Sequence, residues 1–157
     1  MAEPLVKIHV HDETASIILN RPNKRNALTR AMLGELDQAF HDLHMQRSAR
    51  AVVLSGSGPA FCAGMDLAEM AAAADEPDAY ARWEQDARAY RDLIEKMLRF
   101  PKPIIAAVNG DTISAGMALV LASDLVVAAQ GATLALSEPR RGLVAGLVAP
   151  LLAFRVG

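Results

Sequence analysis

The sequence predicts an α/β protein with mostly parallel sheets and helical crossovers. Two patterns carry that expectation. Short apolar runs bounded by turn residues, such as Ala51–Leu54 and Ile104–Val108, read as buried strands. Between them lie longer segments whose apolar residues recur every three or four positions, the mark of a helix with one buried face. Strands that alternate with helices are joined by crossovers and therefore pair in parallel.

Taken in order, Leu5–Val10 and Thr14–Leu19 are short alternating or apolar segments separated by His11, Asp12 and Glu13, and they read as a hairpin. Arg21–Asn26 is a basic loop leading into a helix capped by Thr29. Leu33, Leu36, Phe40 and Leu43 keep helical spacing, so one face of that helix packs inward. The strand Ala51–Leu54 stops in the turn residues Ser55, Gly56, Ser57, Gly58 and Pro59. A helix starts near Asp66, but the alanine-rich acidic segment Ala68–Asp78 reads equally as helix or lid. From Pro77 onward Trp83, Ala87, Tyr90, Ile94 and Met97 follow a 4-3-4-3 spacing, which marks a long amphipathic helix with its Trp and Tyr expected in the core. Pro101 and Pro103 end that helix ahead of the strand Ile104–Val108. Asn109 and Gly110 stop the strand, and the small residues Ser114, Ala115 and Gly116 open an apolar helix. Asp124–Ala128 then reads as another buried strand and Thr133–Leu136 as a short one.

For 157 residues, of which 52% are hydrophobic, a single domain with a sizeable core is the natural expectation. A net charge of -2 gives no electrostatic reason to expect nucleic acid as a partner. No apolar run approaches the length of a membrane span, and no signal-peptide pattern opens the chain. One cysteine excludes an internal disulfide framework and fits a reducing cytosol, so a cytoplasmic location is expected.

Candidate chemistry gathers in two loops. Ala60–Leu67, reading AFCAGMDL, leaves a strand and enters a helix, where backbone N–H groups lack intrahelical acceptors and the helix dipole favours negative charge. Ala63 and Gly64 are small enough for a ligand to approach the backbone. Alone, this is also an ordinary strand-to-helix connection. The segment Pro103–Ala122 repeats the arrangement, and two such loops can supply the paired donors that stabilise a thioester enolate.

Five stretches now stand in order: NRPNKRNALT (Asn20–Thr29), AFCAGMDLAEM (Ala60–Met70), PKPIIAAVNGDTISAGMAL (Pro101–Leu119), ASDLVVAA (Ala122–Ala129) and LSEPRRGLVAG (Leu136–Gly146). Together they resemble the crotonase superfamily, the enoyl-CoA hydratase/isomerase group, from about Val6 to the end of the chain. The resemblance implies a crotonase-like repeated β-β-α spiral core. It implies an acyl-CoA or enoyl-CoA substrate whose coenzyme A is part of the thioester, with no tightly bound cofactor, no metal site, and a homo-oligomer, a trimer or dimer of trimers. The family's oxyanion donors fall on the backbone N–H groups of Met65 and Ala115. Its coenzyme A contacts fall on Lys24, Arg25 and the backbone around Ala27, with Ala63, Gly64, Asp66, Leu67 and Gly116 around the donor loops. Its acid/base glutamate falls on Glu138.

The sequence departs from the hydratases of this group at one position. They use two glutamates, and the first should lie three residues after the central donor residue, where this chain has Ala118. A methyl group cannot move a proton. One glutamate can still shuttle a proton between C2 and C4 of an enoyl thioester, as the family's isomerases do, so an isomerase-like reaction is favoured. The alternatives are a hydratase with an unidentified second base and a catalytically silent CoA-thioester binder or truncated remnant. Asp111 is the nearest ionisable residue along the chain, but its position matches no family catalytic residue and loop aspartates are commonly turn formers.

A further departure lies at the end. The family continues into a C-terminal helical region that completes the acyl pocket and the trimer contact, so residues 1–157 read as a core truncated before it. The nearly all-apolar stretch Leu143–Phe154 then needs cover from such helices or from other subunits. Elsewhere, His41 and His44 at i, i+3 have no acidic or thiol cluster beside them and read as a solvated face, and Cys62 reads as a small buried filler.

Overall fold

In the computed structural model, which describes residues 3–157, β1 (Val6–His11) and β2 (Thr14–Leu19) form the expected antiparallel hairpin, in register from Val6 opposite Leu19 to His11 opposite Thr14. Alternation along β2 buries Ala15, Ile17 and Leu19. β3 (Ala51–Gly56), β5 (Ile104–Val108) and β7 (Leu125–Ala128) add in parallel, giving the order β1-β2-β3-β5-β7. A second parallel sheet runs β4 (Ala60–Cys62), β6 (Asp111–Ile113) and β8 (Leu134–Ala135). The opening hairpin and α1 give both strands to the first sheet, and each later turn of the chain gives one strand to the first sheet, one to the second, and then a helical segment. This is the repeated β-β-α spiral, with mostly parallel sheets, that the sequence leads one to expect.

The helices pack as their spacing predicts, with informative exceptions. α1 (Arg30–Met45) begins where the Thr29 hydroxyl accepts the Met32 N–H at 3.2 Å, and it buries Leu33, Leu36, Phe40 and Leu43. The ambiguous segment after Asp66 is a helix, α2 (Leu67–Ala74), capped by the Asp66 carboxylate. α3 (Ala79–Leu98) follows after a short break that contains Pro77. On α3 only the C-terminal part of the stripe enters the core: Tyr90, Ile94 and Met97 are buried, whereas Trp83 is half-buried and Ala87 is exposed. The N-terminal part of the stripe faces a cavity instead.

α4 (Ala115–Leu121) lies in the centre, and Ala118 and Leu119 are fully buried. α5 (Val148–Val156) packs on it, and the Arg155 Nε–H donates to the Leu121 carbonyl at 2.8 Å near the C-terminal end of α4. The apolar stretch that leads into α5 is only partly covered: Val148 is buried, while Val144 and Phe154 are exposed.

β7 corrects the expectation of a buried strand. Leu125, Val126 and Val127 are all exposed, and β7 is the outermost strand of its sheet. An apolar run identifies a strand, but not which of its faces another element will cover. Among the described residues no helix is long and apolar enough to cross a membrane.

Candidate active site

A cavity of about 560 Å³ opens where the β4–α2 loop, the β6–α4 loop, the N-terminal half of α3 and the segment after β8 converge. Its apolar wall includes Leu67, Met70, Trp83 and Leu147. Its polar groups are few and clustered, as in sites that orient a mostly apolar ligand.

The two donor loops touch. Gly64 sits at φ +89, and a Cβ there would lie 3.0 Å from the Ile113 carbonyl oxygen and 3.3 Å from the Ala115 nitrogen, so glycine both makes the turn and permits the approach. Around Met65 the backbone forms a one-residue parallel bridge: Leu28 N–H donates to the Gly64 carbonyl, and Asp66 N–H to the Leu28 carbonyl, each at 2.8 Å. The Met65 N–H between them points away from that bridge. Among the described residues neither the Met65 nor the Ala115 N–H has an acceptor, and both residues line the cavity. The Ala115 carbonyl accepts a hydrogen bond from the Tyr90 hydroxyl. Burial pushes that hydroxyl well above its ordinary pKa, and the nearby Cys62 and Glu138 act in the same direction, so the phenol remains a donor.

The basic loop is stitched beneath this arrangement. Asn26 is fully buried at φ +55, and its Nδ2 donates to the carbonyls of Ser57 and Ala60 at 2.9 and 2.8 Å. Its Oδ1 accepts the Arg21 N–H at 2.8 Å, and the Ala63 N–H donates to the Arg25 carbonyl at 2.9 Å. Arg21 reaches Asp66 at 2.7 Å, and Asp66 in turn accepts the Ala68 and Glu69 N–H groups of α2. Burial alone would raise the Asp66 carboxyl, but Arg21 and the two N–H groups outweigh it and hold the carboxyl below its ordinary value.

A depressed folded pKa gives stability that is present above the unfolded carboxyl's ~3.9 and lost as pH falls through the folded value. Asp66→Asn is therefore expected to be less stable than the unsubstituted chain near neutrality, with the gap shrinking on acidification. Denaturant midpoints measured across pH check this, and a gap independent of pH would contradict it.

Of the residues singled out in the sequence, Arg25, Ala63, Met65, Leu67, Ala115 and Glu138 stand on the cavity wall. Lys24, Ala27, Gly64, Asp66 and Gly116 stand off it. Lys24 is exposed. Gly116 packs on β4, where a Cβ would come within 2.5 Å of the Cys62 carbonyl oxygen, so its small size serves helix-on-strand contact. Arg25 is not simply free for an anion, since its guanidinium pairs with Asp111. That pairing occupies the Asp111 carboxylate, which does not line the cavity. Asp86 is on the wall, but Arg30 holds it in a two-pronged pair at 2.5 and 2.8 Å. Glu138 is different: it opens the 3-10 turn Glu138–Arg141, and its Oε2 is buried with no hydrogen-bond partner among the described residues.

Sequence reasoning missed four contributors. Tyr90 read as core and is buried, yet its hydroxyl holds the carbonyl of a donor residue. Asn26 carried no signal beyond its place in the loop. Ser114 and Ser137, both on the wall, bond to one another through their hydroxyls at 2.8 Å. Other expectations resolve simply. His41 and His44 are exposed, and Cys62 is fully buried with its thiol pushed up to about 12 by that burial. Among the described residues no group of three or more metal-ligating side chains comes together. A groove of about 600 Å³ between α1 and α3 is lined by charged residues such as Asp37, Arg82 and Asp92 and contains none of the predicted site residues.

The comparisons with known proteins agree with one another. Residues 10–157 match the family described as Enoyl-CoA hydratase/isomerase. The chain is 39% identical to a Rhodobacter capsulatus protein described as "Probable enoyl-CoA hydratase", over 92% of this chain and 53% of that protein. It is 40% identical to the mitochondrial Delta(3,5)-Delta(2,4)-dienoyl-CoA isomerase of Homo sapiens, over 81% of this chain and 40% of that protein. The crystal structure of an enoyl-CoA hydratase from Mycobacterium smegmatis superposes with a TM-score of 0.92 at 39% identity, over 99% of this chain and 59% of that one. The chain thus spans about half the length of the curated relatives it matches. A β-β-α spiral, ordered sequence stretches and matches over most of this chain to hydratases and isomerases place the chain in the enoyl-CoA hydratase/isomerase family, within the crotonase superfamily.

Proposed function

We propose that this chain processes an enoyl-CoA by moving its double bond, with Glu138 as the single acid/base and the Met65 and Ala115 N–H groups as the oxyanion donors. One observation carries the reading. Among the described residues, Glu138 is the only acidic side chain on the cavity wall that is not committed to an ion pair, and Ala118, where a second glutamate would stand, is a buried alanine.

The chemistry follows from those groups. The Glu138 carboxylate takes a proton from C2 of a 3-enoyl thioester, and the electron pair moves into the thioester carbonyl to give a dienolate. Two N–H groups already free of acceptors receive the developing negative oxygen without having to reorganise, and removing one donor of this kind typically costs about 3–4 kcal/mol of barrier. Protonated Glu138 then returns the proton to C4, the double bond forms between C2 and C3, and the carboxylate is regenerated. The coenzyme A moiety is assigned to the basic loop, with Lys24 facing solvent for phosphates and Arg25, Ala27, Ala63, Gly64, Asp66 and Leu67 shaping the path beside the donor loops. The exposed β7 and α5 surfaces support assembly with further copies, the trimeric arrangement that the family suggests.

A single shuttling carboxylate has a direct isotopic consequence. With substrate deuterated at C2 and short reaction times, product carrying deuterium at C4 is expected, as read by mass spectrometry. Product with only solvent hydrogen at C4 would contradict a one-carboxylate shuttle.

A further inference from the structure

Among the described residues, the Glu138 turn is tied to the donor wall by one polar contact. Within residues 137–143 the other hydrogen bonds are local: Arg140 N–H to the Ser137 carbonyl, Gly142 N–H to the Pro139 carbonyl, and Leu143 N–H to the Glu138 carbonyl. The β6–β8 ladder ends as Ser114 N–H donates to the Ala135 carbonyl at 2.8 Å, before the chain reaches Glu138. Beyond that bond the Ser114 and Ser137 hydroxyls meet at 2.8 Å. Each serine is covalently next to a proposed working group, Ser114 to Ala115 and Ser137 to Glu138.

Ser114 makes this contact from an unfavourable backbone. It sits at φ 53, ψ -120 at the start of α4, a conformation suited to glycine. A residue held there against its own preference implies that the side chain contributes something glycine would not. We infer that the Ser114–Ser137 hydroxyl bridge is a positioning pair, which fixes the distance and angle between the Glu138 carboxylate and the Ala115 N–H. Both serines act through their neighbours, because small displacements between base and oxyanion donor suffice to lower turnover about a hundredfold.

The inference rests on the isomerase reading above, and the test separates the two. Ser137→Ala is expected to lower kcat for 3-enoyl-CoA isomerisation about ten- to a hundredfold with KM changed less than about twofold, and Ser137→Thr, which keeps the hydroxyl, restores most of it. Ser114→Gly removes the hydroxyl and relieves the backbone, so its melting temperature stays equal or rises while its kcat falls to a similar degree. Unchanged kcat in Ser137→Ala and Ser114→Gly overturns the inference and leaves the isomerase reading standing. Losses that Ser137→Thr fails to restore, or that track a lowered melting temperature, also overturn it by marking the pair as merely structural. An unsubstituted chain with no isomerisation removes the isomerase reading and the inference together.

Discussion

Glu138→Gln is expected to lower enoyl-CoA isomerisation by about two to four orders of magnitude, with melting temperature and CoA-thioester affinity nearly unchanged. The amide keeps the shape and hydrogen-bonding capacity of the carboxylate but cannot accept a proton at neutral pH. Its surroundings make the substitution clean, since Oε2 is buried at the cavity wall with no partner among the described residues that would be stranded. No second carboxylate stands ready to take over: Asp86 is held by Arg30, and Asp111 lies off the wall beside Arg25. Steady-state turnover alongside a binding measurement checks this. Retained turnover would remove Glu138 from the chemistry.

The largest stability effect is expected at Asn26. Replacing it by Ala strands the Arg21 N–H and removes the donor to two carbonyls, of Ser57 in the turn after β3 and of Ala60 on β4, in a position with no access to water. Unsatisfied buried groups cost about 1–3 kcal/mol each, so a loss of about 3 kcal/mol or more is expected, roughly 6–12 °C in melting temperature for a chain of this size. Asn26→Gly separates two causes. It loses the same bonds but tolerates the φ of +55, so it should be more stable than Asn26→Ala by about 1 kcal/mol. A chemical denaturation series of the two variants checks both numbers. Because the loop also receives Ala63 N–H and Cys62 Sγ–H, its loosening should reach the first donor loop as well as the global fold.

What the sequence made legible was governed by local pattern. Thr29 and Asp66 announce helix starts because capping needs only a side-chain oxygen and the N–H groups two or three residues ahead. The parallel sheets follow from strands separated by helices, and the repeated spiral came from the ordered stretches that resemble a known family. Less legible were features that depend on what lies opposite a residue in space. The apolar strand β7 carries no local sign of its exposure, and α3 carries no sign that its stripe is divided between core and cavity. Gly116 stands among the coenzyme A contacts that the resemblance implies, whereas its close neighbour is β4. Arg25 is expected to meet coenzyme A, and its partner Asp111 stands 86 residues away along the chain. The Ser114–Ser137 bridge is equally non-local, and only the assembled loops reveal it.

The central claim is that a single carboxylate at this cavity moves a proton but does not add water. The most direct test follows one preparation of the purified chain in two reactions, conversion of 3-enoyl-CoA to 2-enoyl-CoA and hydration of 2-enoyl-CoA. Isomerisation with hydration at least a hundredfold slower is the expected result, since efficient hydration needs a second acid/base group. Hydration at a rate comparable to isomerisation would contradict the account and require a second base that the cavity wall does not display.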